Sequence, residues 1–330
     1  MKTAKKLLAV LLSVVMLLGI LPLSIMAEEA DQGVWVAGVR VDNGTAETYW
    51  VNDGEGSIKS EGADAKNYNV KYAPGKLTLK NANLSKLYLY KEQNYTWVIY
   101  KYASVIYADM ENLVITLEGK NFIKAEVNGG SITNEAGNTI NVNYNNVSGI
   151  INGETYYSSN TTTIEGKGKI DINVSRGEGI KASSDAINYR GFTGSKFIIQ
   201  GKPKITVSDC DTGFYSSGIE MYGGDIEISS NGRIINGSMT FKQFRDPKVR
   251  VSTSKDGEGT KSGSATSLTS SKNHYAKITT YSRFGELFLN TAEDLLGYLA
   301  PAYLMFVLEI IMQFPITVKK LLEKIIGSLL

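Results

Sequence analysis

A short stretch rich in tyrosine is the part of this chain best suited to contact a ligand. The aromatic residues whose spacing favours a binding surface are Tyr88, Tyr90, Trp97, Tyr100 and Tyr102. Tyr88 and Tyr90 are two positions apart, as are Tyr100 and Tyr102, and residues two apart on a β-strand project from the same face. Exposed rings can stack on the apolar face of a sugar while their hydroxyls reach sugar hydroxyls. The stretch predicts a glycan-binding platform; the alternative is that the rings seal the N-terminal end of the fold or cover a loop.

Three aspartates form a second candidate site. Asp209 and Asp211 flank Cys210, and Asp225 follows in the next strand region. Calcium takes about six to eight oxygen ligands, many of them from carboxylates on neighbouring segments. The three aspartates predict a calcium site, and the alternative is that Asp211-Thr-Gly213 is an ordinary turn.

The chain offers little for catalysis by a histidine or a thiol. His274 is the only histidine and Cys210 the only cysteine, which excludes a histidine-cluster zinc site and an intrachain disulfide. Cys210 is expected in or near the core. A glycosidase needs two carboxylates about 5–10 Å apart, and no motif groups the acidic residues of this sequence. Arg190, in the segment Tyr189-Arg-Gly, is expected on a surface loop.

A recurring strand–turn–strand pattern must position these residues. Two runs of alternating apolar residues flank a glycine or asparagine turn, and the unit returns at residues 77–84, 114–123, 163–172, 197–207 and 226–234. Aligning Leu79, Leu117, Ile164, Ile199 and Ile228 gives spacings of 38, 47, 35 and 29 residues. Such periods indicate stacked copies of one unit with variable loops. The pattern predicts an all-β fold of the β-solenoid type. The asparagine-rich segment 128–154 predicts either inward asparagine ladders at the corners or a solvated insertion.

The N-terminus has the pattern of a secretory signal peptide. Lys2, Lys5 and Lys6 precede the apolar run 7–23, and Ala27 supplies a small residue before Glu28. Residues 1–27 are therefore predicted to be cleaved, and the alternative is an uncleaved anchor. The precursor carries 35 basic and 33 acidic residues; losing three lysines and no acidic residue leaves a net charge of −1. This balance argues against a nucleic-acid partner, which requires a basic excess on one face.

The amino-acid composition changes towards the C-terminus. Residues 283–330 are mostly apolar with helical spacing, and they predict hydrophobic and amphipathic helices. The segment 295–318 is long enough to cross the ~30 Å hydrocarbon core of a bilayer, although Glu309 within it costs about 2–3 kcal/mol on insertion scales. We expect this tail to attach the protein to the bacterial membrane; the alternative is that it caps the open end of the solenoid.

Four N-terminal blocks carry a resemblance to a known family. They are Val36-Ala-Gly-Val39, Tyr49-Trp-Val-Asn-Asp-Gly54, residues 63–72 and residues 76–82, in that order. They resemble the opening of secreted β-helix carbohydrate-binding proteins of anaerobic Gram-positive bacteria, a family known for binding cellulose and pectate, and the resemblance extends over residues 36–280. It implies a right-handed parallel β-helix that binds polysaccharide outside the cell. The hydrophobic tail and the lack of clustered aspartates depart from that family.

These observations together divide the chain and suggest a role. We expect a signal peptide (1–27), a β-rich entry segment (28–75), a parallel β-helix (76–282) and a hydrophobic helical tail (283–330). The expected function is non-catalytic binding of plant-type polysaccharide at the bacterial cell surface. A β-helix polysaccharide lyase or glycoside hydrolase is one alternative, because binders and enzymes share this fold. A surface adhesin or structural protein without a glycan ligand is the other.

Overall fold

The computed structural model describes residues 33–42, 46–94, 98–127, 130–133, 139–153, 159–176, 188–243 and 246–280. Strand is the dominant secondary structure of these residues, and helix is limited to the four residues Ala265–Leu268, which confirms the predicted all-β class. The described residues up to Gln243 and from Pro247 to Thr279 belong to one compact unit. The predicted signal peptide and the predicted helical tail lie outside the described residues, and the predicted boundaries at residues 75 and 282 stay predictions.

The described part of the chain contains twenty-two strands and one short helix. In chain order the strands are β1 Val34–Val36, β2 Val39–Arg40, β3 Thr48–Asn52, β4 Ile58–Lys59, β5 Val70–Ala73, β6 Lys76–Lys80, β7 Asn83–Leu84, β8 Tyr88–Asn94, β9 Val98–Ala108, β10 Asn112–Glu118, β11 Lys120–Val127, β12 Gly130–Thr133, β13 Thr139–Asn152, β14 Thr161–Gly166, β15 Lys169–Arg176, β16 Asn188–Gly194, β17 Lys196–Ile199, β18 Lys204–Met221, β19 Asp225–Phe241, β20 Lys248–Ser252, β21 Lys261–Ser262 and β22 Tyr275–Thr279. The helix, α1, is Ala265–Leu268.

Three stacks of parallel strands form the frame. Stack A contains β6, β10, β14, β17 and the C-terminal parts of β18 and β19. Stack B contains β7, β11, β15 and the N-terminal parts of β18 and β19. Stack C contains β9, β13, β16 and the middle parts of β18 and β19. The chain visits the stacks in the constant order A, B, C, and each visit pairs with the previous one in parallel.

The core consists of apolar columns that run across the stacked strands. Within a strand, side chains alternate between the two faces, as in β11, where exposed and buried residues alternate throughout. Parallel register then aligns the buried residues of successive strands. The columns are Leu77, Ile115, Ile164, Ile199 and Met221 in stack A, Leu84, Ile123, Ile172, Val207 and Ile228 in stack B, and Ile106, Ile150, Phe192, Phe214 and Ile235 in stack C. Full burial of each such side chain contributes about 1.5–3 kcal/mol.

Glycines in stack C allow the closest approach between stacks. Gly149, Gly191 and Gly213 occupy equivalent positions in successive strands. A Cβ added at Gly191 would lie 2.4 Å from a methyl of Val207 and 2.7 Å from the carbonyl of Gly213. The glycines are therefore required because stack B packs directly against the backbone of stack C. Phe192 and Phe214 follow two of these glycines and stack face to face, with ring centroids 4.4 Å apart.

Buried asparagines satisfy the backbone at the corners. The amide of Asn121 donates to the carbonyls of Glu118 and Lys169, and its side-chain oxygen accepts from the N–H of Ala82. Asn152 is also buried; its oxygen accepts from the N–H of Met110. Asn152 therefore faces inward at a corner, while the predicted ladder of asparagines stays a prediction. The other asparagine side chains of segment 128–151 lie outside the described residues, apart from Asn146, which is also buried.

Antiparallel strands flank the parallel stacks at both ends. At the N-terminal end, β5 pairs with β6, while β1 and β8 pair with β9. At the C-terminal end, β22 pairs with β19 and β20 pairs with β22. An uncovered edge strand can pair with another chain. The antiparallel strands cover the first and last parallel strands and end the parallel repeat there. The last described strand, β22, thus lies between β19 and β20.

The structure confirms two of the predicted repeat alignments. Leu79 pairs with Leu117, and Ile164 pairs with Ile199. Leu117, however, pairs with Gly166, two residues after the predicted partner. Because side chains alternate with a period of two, this shift keeps the same face and still places apolar residues inside.

The predicted alignment of the fifth repeat with the fourth is wrong, because it matches a residue of stack A with a residue of stack B. Ile199 pairs with Met221 rather than with Ile228, and Ile228 pairs with Val207 in stack B. The unit that aligns with the earlier copies therefore runs from stack A into stack B over residues 219–228, not 226–234. The error arose because Ile234, which belongs to stack C, reproduces the apolar spacing by chance.

Candidate functional site

An aromatic cluster lies on the face of β9 that points away from the main core. It comprises Trp35, Tyr88, Tyr90, Tyr102 and Tyr107. Ile106 belongs to the main core and Tyr107 to a second, smaller apolar cluster, so these neighbours project to opposite faces of the strand. Backbone pairing of Trp35 with Tyr107 brings the tryptophan to the same face.

A β-bulge sets the orientation of Tyr90 in the aromatic cluster. Along β8, the pairing with β9 jumps from Leu89 to Lys91, while along β9 it moves only from Ala103 to Tyr102. Tyr90 is therefore the extra residue of a bulge, which rotates a side chain out of the regular alternation. Tyr90 and Tyr88 both contact Tyr107 as a result.

The rings of the aromatic cluster make a continuous series of contacts. The centroids of Trp35 and Tyr88 are 4.6 Å apart with nearly parallel planes, and those of Tyr88 and Tyr107 are 5.4 Å apart. Tyr107 stacks on Tyr90 at 4.9 Å, and Tyr90 meets Tyr102 at 6.2 Å. Aromatic pairs at these distances add about 0.5–1.5 kcal/mol each beyond the area they bury. The contacts fix the positions of the outer rings.

Burial divides the aromatic cluster into a base and a surface. Trp35 and Tyr107 are only 6% and 2% exposed, and they pack with the buried Ile151. Tyr88 and Tyr90 are half-buried and pack against that base, and Tyr102 is half-buried too. Part of each outer tyrosine therefore stays at the surface while its position is set from beneath.

Polar groups surround the aromatic cluster. The Arg40 guanidinium lies 5.0 Å from the ring centroid of Trp35, and the Lys91 ammonium lies 5.5 Å from that of Tyr102. The Tyr102 hydroxyl donates to the Gln93 side chain at 2.9 Å. Arg40 also pairs with Asp42 at 3.0 Å. The site thus combines stacking faces with hydrogen-bonding groups at its border.

A half-buried arginine extends the same face of stack C. The Arg190 guanidinium lies 3.6 Å from the ring centroid of Tyr215. Burial lowers the pKa of Arg190, while Tyr215, Tyr90 and Asp211 act in the opposite direction. An arginine nonetheless remains protonated in proteins. The expectation of a surface loop was wrong, because Arg190 lies within β16; the glycine beside it suggested a turn but instead serves the close packing of stack C.

The structure describes three of the five predicted binding residues as parts of the aromatic cluster. These are Tyr88, Tyr90 and Tyr102. Tyr100 lies in β9, where its backbone pairs with Gln93, and its side chain lies outside the described residues, as does the whole of Trp97. Sequence reasoning missed Trp35 as part of the site, although Trp35 lies within the predicted β-rich entry segment (28–75).

The predicted calcium ligands lie at a corner and on a strand. Asp209 is exposed, has a left-handed backbone with φ 60°, and accepts a hydrogen bond from the amide of Asn173. Asp211 accepts from the backbone N–H of Tyr189 at 3.2 Å. Asp225 pairs with Lys204, which places it about 10 Å or more along the strand direction from Asp209. Within the described residues no group of three metal-binding side chains comes together, and the calcium site stays a prediction.

Cys210 is buried between these aspartates. Its side chain is inaccessible, which confirms the predicted core position. Burial raises the pKa of its thiol to about 12. A thiol of this kind stays protonated at neutral pH and is a poor nucleophile.

Carboxylates on the outer faces of stacks A and B pair with lysines. Glu165 lies 2.9 Å from Lys76, and this hydrogen bond lowers the pKa of Glu165. Glu220 lies 3.0 Å from Lys196, and that hydrogen bond likewise lowers the pKa of Glu220. All of these pairs are held in the ionised form.

Scans against models of protein families, against curated proteins and against solved structures found no match to this chain. The resemblance of the N-terminal blocks to β-helix carbohydrate-binding proteins therefore stays a prediction. Among the residues that the structure describes, no helix is long and apolar enough to cross a bilayer. Residues 295–318, predicted to lie in or on the membrane, fall outside that part of the chain.

Proposed function

We propose that the three stacks are the faces of a right-handed parallel β-helix. Two observations support this architecture: the chain visits stacks A, B and C in constant order, and each visit pairs in parallel with the previous one. The proposed hand follows from the strong preference for right-handed crossovers between parallel strands. Each turn of the helix would advance by the ~4.8 Å that separates paired strands.

We propose that this protein binds polysaccharide without cleaving it, through the aromatic cluster. The observation that carries the proposal is the continuous series of ring contacts from Trp35 through Tyr88, Tyr107 and Tyr90 to Tyr102. A buried base holds half-buried tyrosines in place before any ligand arrives. Such preorganisation reduces the entropy lost when a ligand binds.

The chemistry of the cluster suits a neutral sugar chain. Pyranose rings present C–H groups on their faces, and these pack on aromatic rings, while hydroxyls at their edges need hydrogen-bond partners. Gln93 and the tyrosine hydroxyls supply such groups beside the rings. A series of rings also matches a polymer better than a single small molecule, because successive sugars can each contact a ring.

The paired carboxylates support binding rather than hydrolysis. Burial alone would raise the pKa of Glu227, but hydrogen bonds from Lys277 and Tyr275 outweigh it, and the net shift is downward. Glu165 and Glu220 shift in the same direction. A glycosidase general acid needs the opposite shift, because it must hold a proton near neutral pH.

The proposed setting is the bacterial cell surface. Cleavage of residues 1–27 would export the chain, and the apolar segment 295–318 would attach it to the membrane. Calcium bound by Asp209, Asp211 and Asp225 is a further proposal, supported only by the composition of that segment. Omitting and restoring calcium during binding measurements tests it.

A glycan array probed with the full chain, with and without calcium, is the first test. We expect binding to neutral β-linked polysaccharides, and binding to no glycan would contradict the proposal. The second test replaces Tyr90 and Tyr102 with leucine, which keeps apolar bulk and removes the rings. We expect about tenfold weaker binding, together with a lower melting temperature because two ring pairs are lost, while the variant stays folded at the temperature of the assay. Tyr222→Leu is the matched control, because Tyr222 is 47% exposed and lies on stack A.

A further inference from the structure

A row of lysines lies where the chain passes from stack A to stack B. We define the lysine corner as Lys120, Lys167, Lys202 and Lys204, all of which are exposed. The row comes from equivalent turns of the repeat, in the segments 118–121, 166–169 and 201–204. It is separate from the aromatic cluster, which lies on stack C.

Parallel register places Lys120 and Lys204 on either side of Lys169. Lys120 pairs with Lys169, and Lys169 pairs with Lys204. Gly166 and Gly201 adopt left-handed backbones with φ 106° and 77°, and the N–H of Lys202 donates to the carbonyl of Gly166 at 2.9 Å. The two turns therefore stack on each other, and each presents the lysine that follows its glycine.

Most of the positive charge at this corner is not neutralised by the protein. Lys169 pairs with Asp171 at 2.9 Å. Across the described residues, none of the four lysines of the lysine corner forms an ion pair. Like charges directly opposite on paired strands are destabilising. Lys120 and Lys204 each lie opposite Lys169, and Asp171 offsets part of that repulsion, so a bound anion would remove the part that remains.

We propose that the lysine corner binds a linear polyanion that runs across the stacked turns. Neighbouring turns are ~4.8 Å apart, so an extended polymer with a negative charge on each unit can meet several lysines at once. A small anion would meet only one or two of them. The shared chemistry is a chain of carboxylates or of phosphates, and the test distinguishes these two sources. The proposal does not depend on the aromatic cluster.

The test compares two variants of the full chain with equal loss of charge. One replaces all four lysines of the lysine corner with glutamine, and the control replaces Lys59, Lys66, Lys255 and Lys272, which are exposed elsewhere. Fluorescent polygalacturonate and inorganic polyphosphate are the probes, titrated at about 0.05 M and about 0.5 M NaCl. Thermal melting confirms that both variants fold.

We expect the corner variant to bind at least about tenfold more weakly at low salt, and the control within about twofold of the unsubstituted chain. Binding should weaken at high salt, because exposed charges are screened. Preference for one probe identifies the source of the anion. Equal losses of affinity in the two variants would overturn the proposal, because net charge would then explain the binding. Failure of the unsubstituted chain to bind either probe would overturn it as well. Retention on a neutral glycan, measured in parallel, should be unchanged, which separates this result from a failure of the aromatic cluster.

Discussion

The aromatic cluster and the lysine corner are built in opposite ways on the same frame. The aromatic cluster gathers rings from β1, β8 and β9, which approach one another only at the N-terminal end of the stacks. The lysine corner instead draws its residues from two positions of a recurring turn: the residue after the turn glycine and the first residue of the next strand. A non-repeating surface can be shaped to one ligand, whereas a repeating surface matches a ligand that itself repeats.

The two surfaces also differ in the forces they use. Rings of the aromatic cluster are buried or half-buried and pack on one another, so their contribution depends on shape and hardly on salt. Lysines of the corner are exposed, so their contribution is electrostatic and falls as salt screens it. The two proposed binding surfaces should therefore respond differently to salt, and substitutions should separate them.

The largest expected effect comes from a change in the frame that both surfaces share. Gly191→Ala places a Cβ 2.4 Å from a methyl of Val207, and such overpacking costs about 1–3 kcal/mol. We expect denaturant unfolding to show this loss, with both kinds of binding weakened at temperatures near the melting point. Gly218→Ala is the control, because its Cβ would meet only Ser238, at 3.6 Å. Equal stability of the two variants would contradict the proposed packing of stack B against stack C.

A smaller effect should separate the two surfaces. Tyr102→Leu removes the ring that contacts Tyr90, and we expect about 0.5–1.5 kcal/mol less stability from this one lost ring pair. Neutral-glycan binding should weaken, and polyanion binding should not change. Titration of the variant with both ligand classes measures the separation. Loss of polyanion binding alone would show that the two surfaces are not distinct.

The smallest effect concerns an ion pair outside both surfaces. The pKa of Glu165 is lowered from 4.5, so its pairing with Lys76 stabilises the fold above that pH and is lost as the pH falls through the lowered value. Glu165→Gln should cost about 0.2–1 kcal/mol at neutral pH. Melting curves of the two proteins should converge in acid, while both kinds of binding stay unchanged at neutral pH. A difference that persists in acid would mean that packing, not charge, explains the effect.

Local patterns predicted stacks A and B well. Segments such as 114–123 alternate regularly, and this alternation is visible without knowing any partner strand. Stack C was harder to predict because its pattern breaks at a bend. Gly191 and Phe192 are consecutive yet both face the core, and Gly191 resembles a turn residue when read alone.

The candidate site was predictable only where its residues are close in sequence. The spacing of Tyr88 and Tyr90 indicated a shared face, and the structure places them together. Trp35 lies far away in the chain and joins the site through antiparallel pairing with β9. Long-range pairing of this kind leaves no local signal. The lysine corner likewise depends on register, which a one-residue error in strand alignment would have hidden.

Calorimetric titration of the full chain with cellohexaose tests the central claim most directly. We predict saturable binding that is the same at low and high salt, is about tenfold weaker in the Tyr90→Leu/Tyr102→Leu variant, and is unchanged in the lysine-corner variant. Tyr90→Phe/Tyr102→Phe, which keeps both rings, should bind more tightly than the leucine variant. Binding of equal strength in the leucine variant and the unsubstituted chain would contradict the assignment of the aromatic cluster as the glycan-binding surface.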